Sequence, residues 1–166
     1  MILEEELKLL EFNGKKCFAV VATAGTTVCG AIDSLKLISE LTSRFGIWLH
    51  IDAAIGGVFA LKSSTAHLLD GIANANSITL NPQKVIGIPK TSSLLLVAEY
   101  SKLSNVFSTG LPYIEPAWED DHGGELGLQG TRSAEVLKLW MGLRQLGENG
   151  IELLLKEAIH RRQYLE

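Results

Sequence analysis

Cysteine is scarce in this chain: Cys17 and Cys29 are the only two among 166 residues. They have neither metal-ligand spacing nor a secreted context, so no metal centre is expected and a reducing, cytoplasmic setting follows, with both thiols read as small core residues. Clusters of positive charge are also missing. Fifteen lysines and arginines are set against nineteen aspartates and glutamates, for a net charge of -4. Nothing here forms the basic footprint that a phosphate backbone requires, which disfavours nucleic acid as a partner, and His160-Arg161-Arg162 reads as a solvated helix face. No apolar run reaches the length of a membrane span. The acidic, amphipathic start Met1-Ile2-Leu3-Glu4-Glu5-Glu6 lacks the basic-then-apolar order of a signal peptide. Internal repeats are absent as well.

What is present is 46% hydrophobic residues arranged in alternating strand-like and helix-like segments, the pattern of a globular α/β chain. Residues 3–11 read as the tail of a helix closed by an Asn13-Gly14 turn, and Cys17 to Thr23 as a buried strand. Asp33 is a candidate cap for a helix from Ser34 to Arg44, where Leu35, Leu37, Ile38 and Leu41 recur at helical spacing and Gly46 supplies the stop. Ile47 to Ile51 is the next strand. A strand-helix-strand unit of this kind crosses over right-handedly and pairs its strands in parallel. A short helix near Thr65 to Leu69 and strands at Ser77 to Leu80 and Ser92 to Val97 follow. Ser101 to Gln129 is rich in Gly, Pro, Asp and Glu and reads as a long functional loop or a domain boundary. Beyond it, Ser133 to Leu146 and Ile151 to Leu165 read as amphipathic helices interrupted at Gly147 and Gly150.

Two motifs carry the chemistry. His50-Ile51-Asp52-Ala53-Ala54 places an aspartate where a buried strand ends, and Asn81-Pro82-Gln83-Lys84 places a lysine just after the next strand. Ligands of open α/β sheets bind outside the carboxyl ends of the strands, and Gly25-Thr26-Thr27 falls at that edge too. A lysine and an aspartate so placed meet the requirements of pyridoxal phosphate chemistry. The lysine amine carries the aldehyde cofactor once it has lost its proton, and the aspartate keeps the pyridine nitrogen protonated so that the ring accepts electrons. The plainer alternatives are a surface lysine and a turn aspartate before Gly56-Gly57.

Val21-Ala22-Thr23-Ala24-Gly25-Thr26-Thr27, Trp48-Leu49-His50-Ile51-Asp52-Ala53-Ala54 with Gly56-Gly57, Asn81-Pro82-Gln83-Lys84, and Thr131-Arg132 followed by Leu137-Lys138-Leu139-Trp140 together resemble the group II pyridoxal phosphate-dependent amino acid decarboxylases, which include the glutamate, aromatic amino acid and cysteine sulfinate enzymes. The resemblance implies a fragment of the large domain of a type I (aspartate aminotransferase-like) transferase fold, with a mostly parallel sheet and the start of the small domain. It divides the chain into residues 1–104, the C-terminal half of the cofactor-binding large domain, 105–130, a linker, and 131–166, helices leading into the small domain. It also implies pyridoxal 5'-phosphate as cofactor, an amino acid substrate and a homodimer. The implied catalytic residues are Lys84, Asp52 and Arg132, with Arg132 pairing with the substrate's α-carboxylate. The cofactor would further meet Ala54 on one ring face, Asn81 near its phosphate, Gln83, and Thr27 or its neighbour Thr26 near the ring.

The resemblance has departures. The position before the lysine is most often histidine in that family, whereas here Gln83 neither takes up nor passes a proton. The family's upstream half, which supplies a second ring-stacking residue and much of the phosphate anchor, has no counterpart in this sequence. Tyr113 lies near the region of a mobile family loop, but its spacing assigns it no role. The expected reaction is loss of carbon dioxide from an amino acid to give an amine once the missing half is supplied. The alternatives are another reaction of the same fold, such as amino transfer or carbon-sulfur lysis, or a non-catalytic remnant. Apolar surface along Ala19 to Ala22 and Leu94 to Val97 is expected to be uncovered and to favour self-association.

Overall fold

The computed structural model describes residues 2–90, 93–111 and 125–165. Four strands form one sheet in the order β1 (Ala19–Thr23), β2 (Trp48–Asp52), β3 (Ser77–Leu80) and β4 (Leu94–Val97). The first three are parallel, in the register Ala22↔Ile51↔Ile78 and Thr23↔Asp52↔Thr79, and β4 runs antiparallel to β3 with Leu94 opposite Leu80. This direction of β4 has a topological consequence. The segment joining β3 to β4 turns back at the carboxyl end of β3, so it stays at the carboxyl edge of the sheet.

The two sheet faces are different. On β2, Leu49 and Ile51 are buried, whereas Trp48 and His50 are half-buried and Asp52 is exposed, the alternation a two-residue period imposes. The buried face gathers Ala22, Leu49 and Ile51 under Leu35, Leu69 and Ala75. Helix α2 (Leu35–Phe45) supplies Leu35 to that layer and turns Leu41 toward Leu7 of α1 (Ile2–Phe12) and Ile47. Gly46 ends α2 in the left-handed conformation at φ 62°, as a helix stop requires, and its N–H returns to Ser43 O at 3.2 Å. The opposite sheet face leaves Val21 64% and Leu95 54% exposed, in line with the expected uncovered surface, although Ala22 on the other face is fully buried.

A short helix α3 (Ser63–Ala66) continues as a 3-10 turn at His67–Leu69, close to the expected helix. A 3-10 segment at Gly56–Leu61, not anticipated, precedes it. Helix α4 (Pro82–Val85) begins on a proline, whose fixed φ suits the first helical turn. Helix α5 (Ser101–Phe107) occupies the start of the region expected to be a loop, and α6 (Val136–Leu165) bends at Gly147, where φ is 58°. Gly150 does not interrupt it. Tyr113 and the Asp120-Asp121-His122-Gly123-Gly124 run lie outside the described residues.

Two boundaries move for physical reasons. Cys17 lies outside β1, its thiol 3.3 Å from Ala19 O. Asp33 does not cap α2: its Oδ2 accepts the Thr23 N–H at 2.7 Å while its own N–H donates to Thr23 O at 2.9 Å, so it closes the end of β1, and Ser34 takes the cap position without a side-chain bond.

Helix α6 supports the β3–β4 connection from behind. Ile151 and Leu155 pack with Val58, Ile86 and Ile88, the last two immediately following α4. Across this contact Lys62 meets Glu148 at 3.3 Å and Glu152 at 3.9 Å. Replacing the fully buried Leu155 by alanine removes the centre of that cluster. Leu155→Ala is expected to lower stability by about 2–5 kcal/mol, read by urea denaturation.

Candidate functional site

The carboxyl edge of the sheet is tied by backbone hydrogen bonds that continue past the strands. Ala24 N–H donates to Asp52 O at 2.8 Å, Ala53 N–H to Thr79 O at 3.0 Å, and Asn81 N–H to Ala54 O at 3.2 Å. Gly56 N–H closes the set by donating to Ala24 O at 3.0 Å. The approach is so close that a Cβ on Gly56 would fall within the van der Waals envelope of Ala24 O and 3.0 Å from Ala24 C. Gly25 has φ +99°, and a Cβ there would lie 3.0 Å from Gly56 N. Glycine is required on both sides of this contact.

Asp52 is therefore fixed by its neighbours' backbone while its carboxylate remains exposed. Its Oδ1 accepts the Ala54 N–H at 3.1 Å, an Asx-type turn, and no cation pairs with it among the described residues. Ala54 is half-buried. Asn81 caps the start of α4 by position but not by its side chain, whose Oδ1 instead accepts the Ser93 hydroxyl at 2.9 Å. Gln83 is half-buried, and its Oε1 is a buried atom with no hydrogen-bond partner among the described residues. Lys84 is exposed, its N–H bound to Asn81 O at 3.1 Å, and its ammonium makes no ion pair among the described residues.

The loop after β1 separates the two threonines. Thr26 Oγ1 accepts the Ala31 N–H at 2.9 Å and lies 3.4 Å from Cys29 Sγ, so its hydroxyl serves the loop. That hydrogen bond is the main cause holding the Cys29 thiol below its ordinary pKa, with the Ala31 backbone adding to it. Thr27 is exposed and its hydroxyl is not used in this way. Arg132 stands apart from the backbone ladder. It is exposed, and its guanidinium lies 4.0 Å from where a Gly127 Cβ would be. The structure thus joins Asp52, Ala54, Asn81 and Lys84 through consecutive backbone bonds, brings in Thr27 through the β1 loop, and leaves Arg132 in a separate stretch of chain.

Sequence reasoning gave no role to Ser93, which no motif signals, nor to His50, although strand alternation places His50 on the same face as Asp52. The His50 ring bridges two hydroxyls: Nδ1 lies 2.8 Å from Ser77 Oγ and Nε2 lies 3.2 Å from Thr79 Oγ1.

The architecture defines an open, mostly parallel α/β sheet with a carboxylate, an amide and an amine at its carboxyl edge. Comparison with known proteins specifies the family. The model for the pyridoxal-dependent decarboxylase conserved domain matches residues 1–166, and the chain belongs to that family. It is 36% identical to human (Homo sapiens) cysteine sulfinic acid decarboxylase over 172 residues, covering 98% of this chain and 34% of the human protein. The solved structure of mouse CSAD superposes with a TM-score of 0.88 at 35% identity, covering 98% of this chain and 34% of that one. The structure of Oryza sativa TDC with PLP and tryptamine gives 0.83 at 27% identity, covering 90% and 31%. The chain spans about a third of the length of these relatives. The fold class expected from the sequence agrees with these structures.

The glycine contact offers a test of the edge. Gly56→Ala is expected to lower the unfolding free energy by about 1–3 kcal/mol, because backbone has to move. Gly150→Ala, where the added carbon would meet Leu146 Cβ at 3.4 Å within a helix, is expected to leave the melting temperature unchanged or slightly raised.

Proposed function

We propose that the carboxyl edge formed by Asp52, Ala54, Asn81 and Lys84 is the cofactor side of an amino acid decarboxylase site, and that the protein converts an L-amino acid to the corresponding amine and carbon dioxide. The observation that carries this reading is the backbone ladder, which sets the Asp52 carboxylate and the Lys84 segment on neighbouring strand ends. The donor set fits pyridoxal 5'-phosphate. A carboxylate suits a protonated ring nitrogen, a primary amine suits an aldehyde, and Gln83 Oε1 is a buried acceptor with no partner among the described residues.

When bound, pyridoxal 5'-phosphate supplies a cationic ring that takes up the electron pair left as carbon dioxide departs. The chain's own groups have separate duties. Asp52, with one oxygen engaged by Ala54 N–H, keeps a carboxylate available to hold a ring N–H. Ala54 offers a small surface on which a planar ring can lie. Asn81, anchored by Ser93, contributes an amide near the phosphate, joined by Gln83, and Thr27 contributes a hydroxyl at the edge of β1. Lys84 provides the amine, and Arg132 holds the substrate carboxylate through its planar fork. In the net reaction the bond between the α carbon and its carboxylate breaks, carbon dioxide leaves, and a proton takes its place.

This reading includes residues 1–104 as the C-terminal half of a large domain, 105–130 as a linker and 131–166 as the approach to a small domain. It also includes a cytoplasmic homodimer. The exposed Val21 and Leu95 support a further protein layer over the open sheet face.

Borohydride reduction of the protein with pyridoxal 5'-phosphate, followed by peptide mapping, tests the reading. Label is expected on Lys84 and is expected to vanish in Lys84→Ala. Label spread over exposed lysines such as Lys8, Lys102 and Lys156 would refute it, and formation of a keto acid instead of carbon dioxide from a panel of L-amino acids would replace decarboxylation with amino transfer.

A further inference from the structure

The half-buried sheet face next to Asp52 carries an ordered set of polar side chains. Trp48, His50 and Asp52 alternate along β2, and Ser77 and Thr79 face them from β3, in the register His50↔Ser77 and Asp52↔Thr79. Trp48 Nε1–H donates to Ser77 Oγ at 2.9 Å. Since indole nitrogen is a donor only, the direction of this bond is fixed.

The remaining directions follow by satisfaction. Ser77 is 6% exposed, and among the described residues its oxygen has two side-chain partners, Trp48 Nε1 and His50 Nδ1. If Nδ1 carried the histidine proton, Ser77 would accept twice and its own buried O–H would have no acceptor. Leaving such a group unsatisfied costs about 1–3 kcal/mol. The Ser77 O–H therefore donates to Nδ1. The neutral ring then carries its proton on Nε2, which donates to Thr79 Oγ1 at 3.2 Å. Every bond runs the same way along the face, and the Thr79 hydroxyl is left as the terminal donor at the register position of Asp52.

We propose that Trp48, Ser77, His50 and Thr79 form a one-way hydrogen-bond chain that fixes the Nε2–H tautomer of His50 and presents the Thr79 hydroxyl as a donor beside Asp52. His50 is thereby a positioning residue for the Asp52 carboxylate. Asp52 has one oxygen held by Ala54 N–H, and Thr79 occupies the paired position on the neighbouring strand. The link to Asp52 rests on the cofactor reading given above, whereas the tautomer does not.

The test uses the intact protein with 15N-labelled histidine, the His50 ring being assigned by its loss in His50→Gln. The expected spectrum shows a protonated Nε2 and a bare Nδ1, and Ser77→Ala is expected to shift the ring toward the Nδ1–H form. Should Ser77→Ala fail to fold, Thr79→Val provides the second variant. It is expected to keep the Nε2–H tautomer yet weaken pyridoxal 5'-phosphate binding about tenfold, since the position paired with Asp52 loses its hydroxyl. His50→Leu is expected to show the same weakening, with affinity largely regained in His50→Gln, whose amide keeps both a donor and an acceptor. A protonated Nδ1 in the unaltered protein would overturn the chain. Unchanged cofactor affinity in both Thr79→Val and His50→Leu would overturn the link to Asp52. If the unaltered protein placed no label on Lys84 after reduction, the cofactor reading would fail and the Asp52 link with it, while the ring spectrum would still decide the tautomer.

Discussion

Backbone meets backbone where Gly25 and Gly56 pass each other, and the geometry of the carboxyl edge depends on that approach. With side chains on either residue, Gly56 N–H could not reach Ala24 O at 3.0 Å, and the loop after β1 would be held away from the turn after β2. The same turn carries Asp52 and Ala54, and Ala54 O accepts from Asn81, so the position of the lysine-bearing segment descends from the same contact. Three loops that are distant in sequence are thus related by main-chain bonds rather than by flexible side chains. Preorganisation of this type suits a site whose groups have to hold fixed geometry.

The sheet divides its labour by face. Leu49 and Ile51 secure β2 to the buried layer, while the same strand turns Trp48, His50 and Asp52 to the other side. That second face combines exposed Val21 and Leu95 with the side-chain hydrogen bonds that link Trp48, Ser77, His50 and Thr79. Behind the edge, α6 braces the β3–β4 connection through Ile86 and Ile88, which gives the Lys84 segment a rigid support although Lys84 itself is exposed.

Much of this was legible in the sequence, for identifiable reasons. The apolar strands, the helical spacing of Leu35 to Leu41 and the Gly46 stop are local signals, and they correspond to β1 to β3 and α2. The antiparallel direction of β4 was not legible, because strand direction depends on the path of the connection and not on the strand's composition. Asp33 misled for a similar reason: its neighbourhood resembles a cap, but Thr23, ten residues away, competes for its carboxylate at 2.7 Å. Helix α5 was hidden by the polar Ser101 to Gln129 region around it. For the site, strand-end logic located Asp52 and Lys84 at one edge, and only the hydrogen bonds of Thr26 distinguish it from Thr27. The alignment of His50 with Ser77 and Thr79 required the register, which no pattern within β2 contains.

The central claim is that the Asp52 carboxylate, held at the sheet edge, keeps the cofactor's ring nitrogen protonated. Its most direct test is the 15N resonance of ring-labelled pyridoxal 5'-phosphate bound to the protein and to Asp52→Asn. The account predicts a pyridinium shift in the unaltered protein that is lost in the variant, since a neutral amide no longer stabilises the ring's positive charge. A bare pyridine nitrogen in the unaltered protein, or a pyridinium that persists in Asp52→Asn, would contradict it.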